Sequence, residues 1–439
     1  LNKFFSTPLL SIKRPGLYSN AFYLICNNMT ASLLGFIFWN VMARCFTTAE
    51  VGVGSALVAA STLIAGFANL GMGIGLIRYL PESGMKPERL MNTAFSLVCV
   101  TAAGGSLIYI AGLQHWSSAL CFIRQDFFLC LMFVTFSVVA SLSVLTDQSL
   151  IAGRSAHYVL IKNTVISLLK LPAALLVFAG LKGYGIFAGV GASTAFGLLL
   201  SWRRFLPAVY RGYSPRPQMS ADVLKKVFPY SFGNYLAGLF NTLPGLIYPL
   251  MVLSALGPEK NAYFFVSWMM TMVIWLIPGG LAQSFLAEGS NNRLNKGGSV
   301  YRALAWSFAI CVPAAVAMML LGGWFLKFFG PGYAESGAPV VRYLSLSTIP
   351  QCVNVMFFTV NQLEKKVHLL VAQALFISTV SLILGWGLME RSGLPGIGVA
   401  YLTAQALTAF LVFIPLMNSQ SVLSGNKGKF TECHGGVNH

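Results

Sequence analysis

The chain has 439 residues, 56% of them hydrophobic and only 9% charged, with a mean hydropathy of +0.71. A soluble chain carries roughly 25% charged residues, so this is a polytopic membrane protein. The net charge of +17 fits basic loops facing an anionic cytoplasmic leaflet, and no nucleic-acid partner is expected.

A spanning helix takes about 20 apolar residues. In chain order, stretches of that kind fall at 20–43, 51–77, 92–113, 127–149, 160–180 and 184–202. Six more follow at 229–255, 262–287, 302–322, 339–361, 367–389 and 395–417. The first is preceded by Lys3, Lys13 and Arg14 and lacks a small-residue cleavage site, so it is expected to be retained as a span. The expected fold is an all-α integral membrane protein of about 12 transmembrane helices in two six-helix bundles. The first bundle is 1–202 and the second 229–417, with a polar tail at 418–439.

Between the bundles lies 203–228, the longest polar interval. It holds Arg203, Arg204, Arg211, Arg216, Lys225 and Lys226 against one acid, Asp222, and three prolines, Pro207, Pro215 and Pro217, that interrupt helix. It is read as a cytoplasmic linker. Alternate intervals give the orientation. One set, which includes the termini and the linker, carries 21 of the 29 Lys and Arg, with Lys162 counted in the 150–162 loop. The other set carries seven, and Lys170 falls in neither. This bias places both termini in the cytoplasm.

The halves echo each other. Glu50 and Glu259 are 209 residues apart, Glu82 and Glu288 206, His157 and His368 211, and Gly185-Ile186 and Gly396-Ile397 also 211. A nearly constant offset suggests a duplicated six-span unit, its copies related by an axis along the membrane normal with a cleft between them. Breaks are expected at Gly71 to Gly75, at Pro172, at Pro244 and Pro249, and at Pro278-Gly279-Gly280. Inside a bilayer a break survives only where protein or a watery cavity satisfies the freed backbone.

No catalytic constellation is present: no HExxH, no GxSxG, no paired carboxylates and no phosphate-cradling loop. None of the eight cysteines has CxxC spacing, and neither metal nor cofactor is expected. The predicted outer loops are short, which disfavours a membrane glycosyltransferase or polymerase. What remains are cations and amides at membrane depth. Lys170 lies eight residues past Lys162, or about 12 Å along a helix. A lysine so placed needs an aqueous cavity, a partner or an escape route for its head. Asp147, at the inner end of the fourth span, is a candidate partner. Arg44 closes the first span outside and Arg78 the second inside, where interface anchoring is the plain alternative. Asn27, Asn28, Asn40, Asn69, Asn234, Asn241 and Asn354 supply amides for sugar hydroxyls or for helix-to-helix hydrogen bonds.

The stretch from Gly35 to Glu82 includes ARCFTTAEVG between the first two spans and then NLGMGIGLIRYLP. It resembles the polysaccharide transport family, which includes O-antigen-type lipid-linked oligosaccharide flippases. That family belongs to the multidrug/oligosaccharidyl-lipid/polysaccharide exporter superfamily. The resemblance implies two bundles that rock about a central cavity. It implies a polyprenyl-pyrophosphate-linked glycan as cargo, membrane lipids and glycan-assembly enzymes as partners, and a multi-pass place in the inner membrane. No covalent chemistry is implied. Arg44 and Arg78 fall on the family's arginine positions, Lys170 adds a cation, and Asp147, Asn40, Asn69 and Asn241 complete the expected substrate site. Drug-exporting relatives carry an acid inside span one or seven; here those spans hold only amides. A cation-coupled exporter of small amphipathic molecules, with Asp147 essential, is the alternative.

Overall fold

The computed structural model of the protein describes residues 17–81, 86–116, 118–177, 179–290, 296–364 and 366–425. Lys3, Lys13, Arg14, Glu82, Arg293, Lys365, Lys427, Lys429, His434 and His439 lie outside them. Among the described residues eleven helices are long and apolar enough to cross a membrane, or twelve if one bent pair is a single span.

In order these are α1 (Leu17–Cys45), α2 (Thr48–Ala68, resuming as Met72–Tyr79), α3 (Pro87–Ala111), α4 (Phe127–Ala152), α5 (Ala156–Pro172) and α6 (Gly183–Leu200). The second set is α7 (Ala221–Leu256), α8 (Pro258–Ser290), α9 (Lys296–Leu326), α10 (Pro331–Leu346 and Thr348–Leu363), α11 (Val367–Ser392) and α12 (Leu394–Gly425). The end that carries the start of α1 and the connection between α6 and α7 is called the basic end, the opposite one the far end.

The helices obey local rules. Thr47 and Glu50 cap α2 reciprocally: Thr47 Oγ1 accepts from the Glu50 N–H, and Glu50 Oε2 from the Thr47 N–H. α2 then breaks at Leu70 and Gly71, which take φ of 47° and 82°. Gly71 suits that left-handed turn because it has no Cβ. Several of the freed groups find partners, as membrane depth demands. Asn69 Oδ1 accepts from the Gly73 N–H, Thr101 donates to Ala68 O, and Tyr235 of α7 donates to Gly66 O at 2.7 Å and Phe67 O at 3.1 Å.

Two expected breaks behave differently. After Pro172, α5 widens into a turn with one extra residue over Ala173–Val177. α7 instead runs unbroken for 36 residues through Pro244 and Pro249, and α8 through Pro278. Each proline removes one bond of the ladder, and the surrounding turns hold the helix. A break not expected from sequence bends α10 by 42°. Pro350 lacks the N–H that the Leu346 carbonyl would accept, and the chain turns at Ser347, just beyond that carbonyl.

Packing between helices in lipid relies on small residues and close contact. α2 shows this: Gly52, Gly54, Ser55, Ala56, Ala59, Ala60 and Ser61 are buried. In its most apolar window 67% of residues are buried, against 11% for α1, so α2 is central and α1 a lip. The largest core joins both bundles: Phe38, Trp39, Met42, Val51 and Ile186 pack with Tyr248, Phe264, Trp268, Phe329 and Tyr401.

The connection between bundles is shorter than the polar interval. Helical turns continue to Val209 and α7 starts at Ala221, so only 210–220 is irregular. That strand of chain is clamped to α3 at the basic end. Tyr213 donates to Asn92 Oδ1 at 3.0 Å, and the N–H groups of Arg216 and Gln218 donate to Asn92 Oδ1 and Ser96 Oγ. Burial, and secondarily the nearby Glu88 carboxylate, push the Tyr213 phenol up, so it stays a donor.

Candidate functional site

Two lysines on α5 have opposite fates. Lys162 was expected in a loop; it is fully buried instead. Its ammonium lies 2.7 Å from Asp147 Oδ1 and donates to Ser143 O at 3.1 Å and Ser143 Oγ at 2.8 Å. Two of the three ammonium donors thus go to Ser143, and the charge is paired with the Asp147 carboxylate. Asp147 therefore pairs with Lys162, not with Lys170 as the sequence suggested. The sequence carried the signal in Ser143 and Asp147, four apart on α4, which places them on one face. The network continues: Asn163 Nδ2 donates to Asn27 Oδ1 at 3.0 Å and, more weakly, to Asp147 Oδ2 at 3.4 Å. α1 is thereby tied to α5. Asn20 Oδ1, which accepts from the Ala156 N–H, and the Tyr23–His157 ring contact repeat the tie.

Lys170 sits two turns further along. It is half-buried, with Nζ 4.8 Å from the centre of the Phe38 ring. Among the described residues its ammonium has that cation–π contact but no ion pair or hydrogen bond. Since Asp147 and Lys162 cancel, Lys170 leaves a net positive charge in this part of the bundle.

α1 presents one polar stripe to the second bundle. Phe36 touches Phe329 and Trp39 touches Phe265, with ring centres 5.2 Å and 4.6 Å apart. Asn28 and Ser32 precede Phe36 at four-residue steps, so they share its face, and both are exposed. Ser32 was missed by sequence reading because serine is common in packed membrane helices; its four-residue step from Asn28 was the available clue. Asn241, on the corresponding helix α7, is also exposed. The other amides split. Asn27 and Asn354 make helix-to-helix bonds, the latter to Gln405 Oε1 at 2.6 Å.

The remaining expected site residues are scattered. Asn69 supports the α2 break. Asn40 and Arg44 are at the far end, where both donate to Phe328 O, at 2.9 Å and 3.0 Å. Arg78 is at the basic end, exposed, with its guanidinium 5.5 Å from the Tyr79 ring. Lys226 of α7 approaches the same ring at 5.7 Å. The structure thus does not gather Arg44, Arg78 and Lys170 at one point; it spaces them from far end to basic end.

The two seams between the bundles differ. Along α2 the contact is continuous. A Cβ on Gly52 would lie 1.7 Å from Pro258 O, so only glycine fits. Asn261 donates to Gly52 O at 2.8 Å. Residues 52 and 261 are 209 apart, the repeat offset, as expected where the pseudo-twofold axis passes between α2 and α8. Tyr235 and then Val227 with Met72 and Leu76 extend the contact to the basic end. Beside this seam α2, α3, α7 and α11 line an apolar cavity of about 630 Å³.

Comparison with known proteins agrees with this architecture. Residues 41–336 match the model of a family described as "Polysaccharide biosynthesis protein". No curated protein matches the sequence. Among solved structures, the lipid II flippase MurJ in an inward closed conformation is similar at a TM-score of 0.73 and 11% identity, covering 95% of this chain and 94% of that one. The MATE multidrug transporter DinF-BH is similar at 0.63 and 15%, covering 91% and 96%. A MOP superfamily transporter from Pyrococcus furiosus is similar at 0.57 and 13%, covering 92% and 93%. At these identities the likeness concerns the fold.

Proposed function

Because the chain belongs to the polysaccharide biosynthesis family whose model it matches over residues 41–336, we propose that it is a flippase for a polyprenyl-pyrophosphate-linked glycan, of the O-antigen type. It works by alternating access in the inner membrane, with both termini in the cytoplasm and the far end outside. Glycan-assembly enzymes supply and receive the cargo. The process is transport, with no bond made or broken.

One observation carries the reading: Lys170 is a membrane-depth cation with no ion pair among the described residues. A pyrophosphate offers what that ammonium lacks, a dense anion that accepts charge-assisted hydrogen bonds. Arg78, at the basic end, would meet the anion on entry, Lys170 in transit. Asn28, Ser32 and Asn241 would contact the glycan, and the polyprenyl chain would stay in lipid. Moving negative charge outward across an inside-negative membrane is favoured by about 2.3 kcal/mol per charge per 100 mV, so a dedicated coupling acid is not required. The cation-coupled exporter needs Asp147 as an available carboxylate. Its 2.7 Å pairing with Lys162 argues against that role.

The test is flipping of a labelled polyprenyl-pyrophosphate oligosaccharide in proteoliposomes, with and without an imposed potential. Wild type should accelerate flipping, more so with the destination side positive; Lys170→Ala should lower the rate at least tenfold, and Lys170→Arg should retain much of it. Full activity in Lys170→Ala would remove Lys170 from the site. No flipping by wild type, with Asp147-dependent drug export instead, would replace this reading by the exporter.

A further inference from the structure

At the far end the hydrogen bonds from α1 to the second bundle, among the described residues, converge on one backbone oxygen. Phe328 lies in the turn that follows α9, where helix-end carbonyls have no partner in their own helix. Its oxygen accepts from both Asn40 and Arg44. The donors are four residues apart on α1, one turn, so both reach the same point. Beside them lie the Phe36–Phe329 and Trp39–Phe265 ring contacts. We propose that Asn40, Arg44 and the Phe328 carbonyl form a latch that shuts the far end and must release for α1 to swing clear of the second bundle. It rests on the alternating-access reading but not on the identity of the cargo.

Three features suit a latch better than a fixed joint. Arg44 is exposed, so water can replace the carbonyl at little net cost. The acceptor is main chain at a helix end, available without rearranging side chains in the second bundle. The polar ties of the rest of α1, at Asn20 and Asn27, go to α5 of its own bundle. Releasing Phe328 O therefore lets α1 move together with its bundle. On this account Arg44 is engaged while the far end is shut. Its guanidinium becomes available to an anion when that end opens, at the exit rather than in the central site.

The test uses Ser32→Cys in a chain whose native cysteines are replaced by serine, labelled by a membrane-impermeant maleimide from either side. Adding Asn40→Ala with Arg44→Ala should raise far-side labelling roughly tenfold, as expected for two lost hydrogen bonds, and lower basic-side labelling. Each single substitution should give a smaller rise, which covers failure of the double variant to insert. Unchanged labelling in all three would overturn the latch. Independently, Phe36→Cys with Phe329→Cys, bridged by a reducible bifunctional thiol reagent, should abolish movement of Ser32 to far-side exposure in a separately spin-labelled sample and recover it on reduction. Persistent far-side exposure in the bridged protein would equally contradict the proposal. Neither readout depends on flipping, so the latch and the cargo assignment can fail separately.

Discussion

The repeat relates α1 to α7 and α2 to α8, so the α2–α7 and α1–α8 seams are counterparts. They are built differently. Below the Gly52–Pro258 contact of α2 with α8, the α2–α7 side is packed from Tyr235 at the α2 break to Val227 near the basic end. The α1 side meets the second bundle through rings and two hydrogen bonds in its last turns. One seam reads as a pivot and the other as a lip. The two seams are thus asymmetric, because the residues placed at each differ.

Four substitutions should perturb the two seams and their supports by decreasing amounts. Lys162→Ala should do most damage, since it leaves Asp147 uncompensated and loosens the Asn163–Asn27 tie between α5 and α1. Losing one partner of a buried pair destabilises by about 3–5 kcal/mol; a thermal-unfolding scan in detergent should show it, with recovery in Lys162→Met/Asp147→Leu. Gly52→Ala should be next, at about 1–3 kcal/mol for overpacking against a backbone oxygen that has nowhere to go. It should lower thermal stability and transport together, as damage to a pivot does. Tyr235→Phe removes one hydroxyl donor from the α2 break, for about 0.5–1.5 kcal/mol, read by faster amide exchange at Gly71 and Met72. Asp222→Asn should change stability by under about 1 kcal/mol, because its pair with Arg89 at 3.1 Å is solvent-exposed; a large effect there would mean the basic end is held more tightly than the contacts indicate.

Spans and bundle organisation were legible because apolar length and loop charge are one-dimensional signals. The Gly71 break and the Pro172 turn were legible for the same reason. The fates of Pro244, Pro249 and Pro350 were not: whether a proline bends a helix or ends it depends on neighbours brought from elsewhere in the chain. The site shows the same divide. Lys170 stood out because no loop could claim it. Lys162 was misplaced because a lysine six residues inside a span resembles a loop charge until Ser143 and Asp147 of another helix are found against it. Arg44 and Asn40 looked like ligand residues, and only the position of Phe328, 284 and 288 residues away, reveals what they hold. Asn261 and Ser32 needed the repeat offset and the helical step, respectively, to be applied to unremarkable residue types.

The claim that one seam pivots while the other opens is tested most directly by spin-label distances in lipid nanodiscs. One pair at Cys45 and Lys327 spans the α1 lip at the far end. A second pair at Ile77 and Phe228 spans α2 and α7. With a polyprenyl-pyrophosphate oligosaccharide added, the first pair should gain a longer distance while the second keeps a single one. Equal changes in both pairs, or a change confined to the second, would contradict the account.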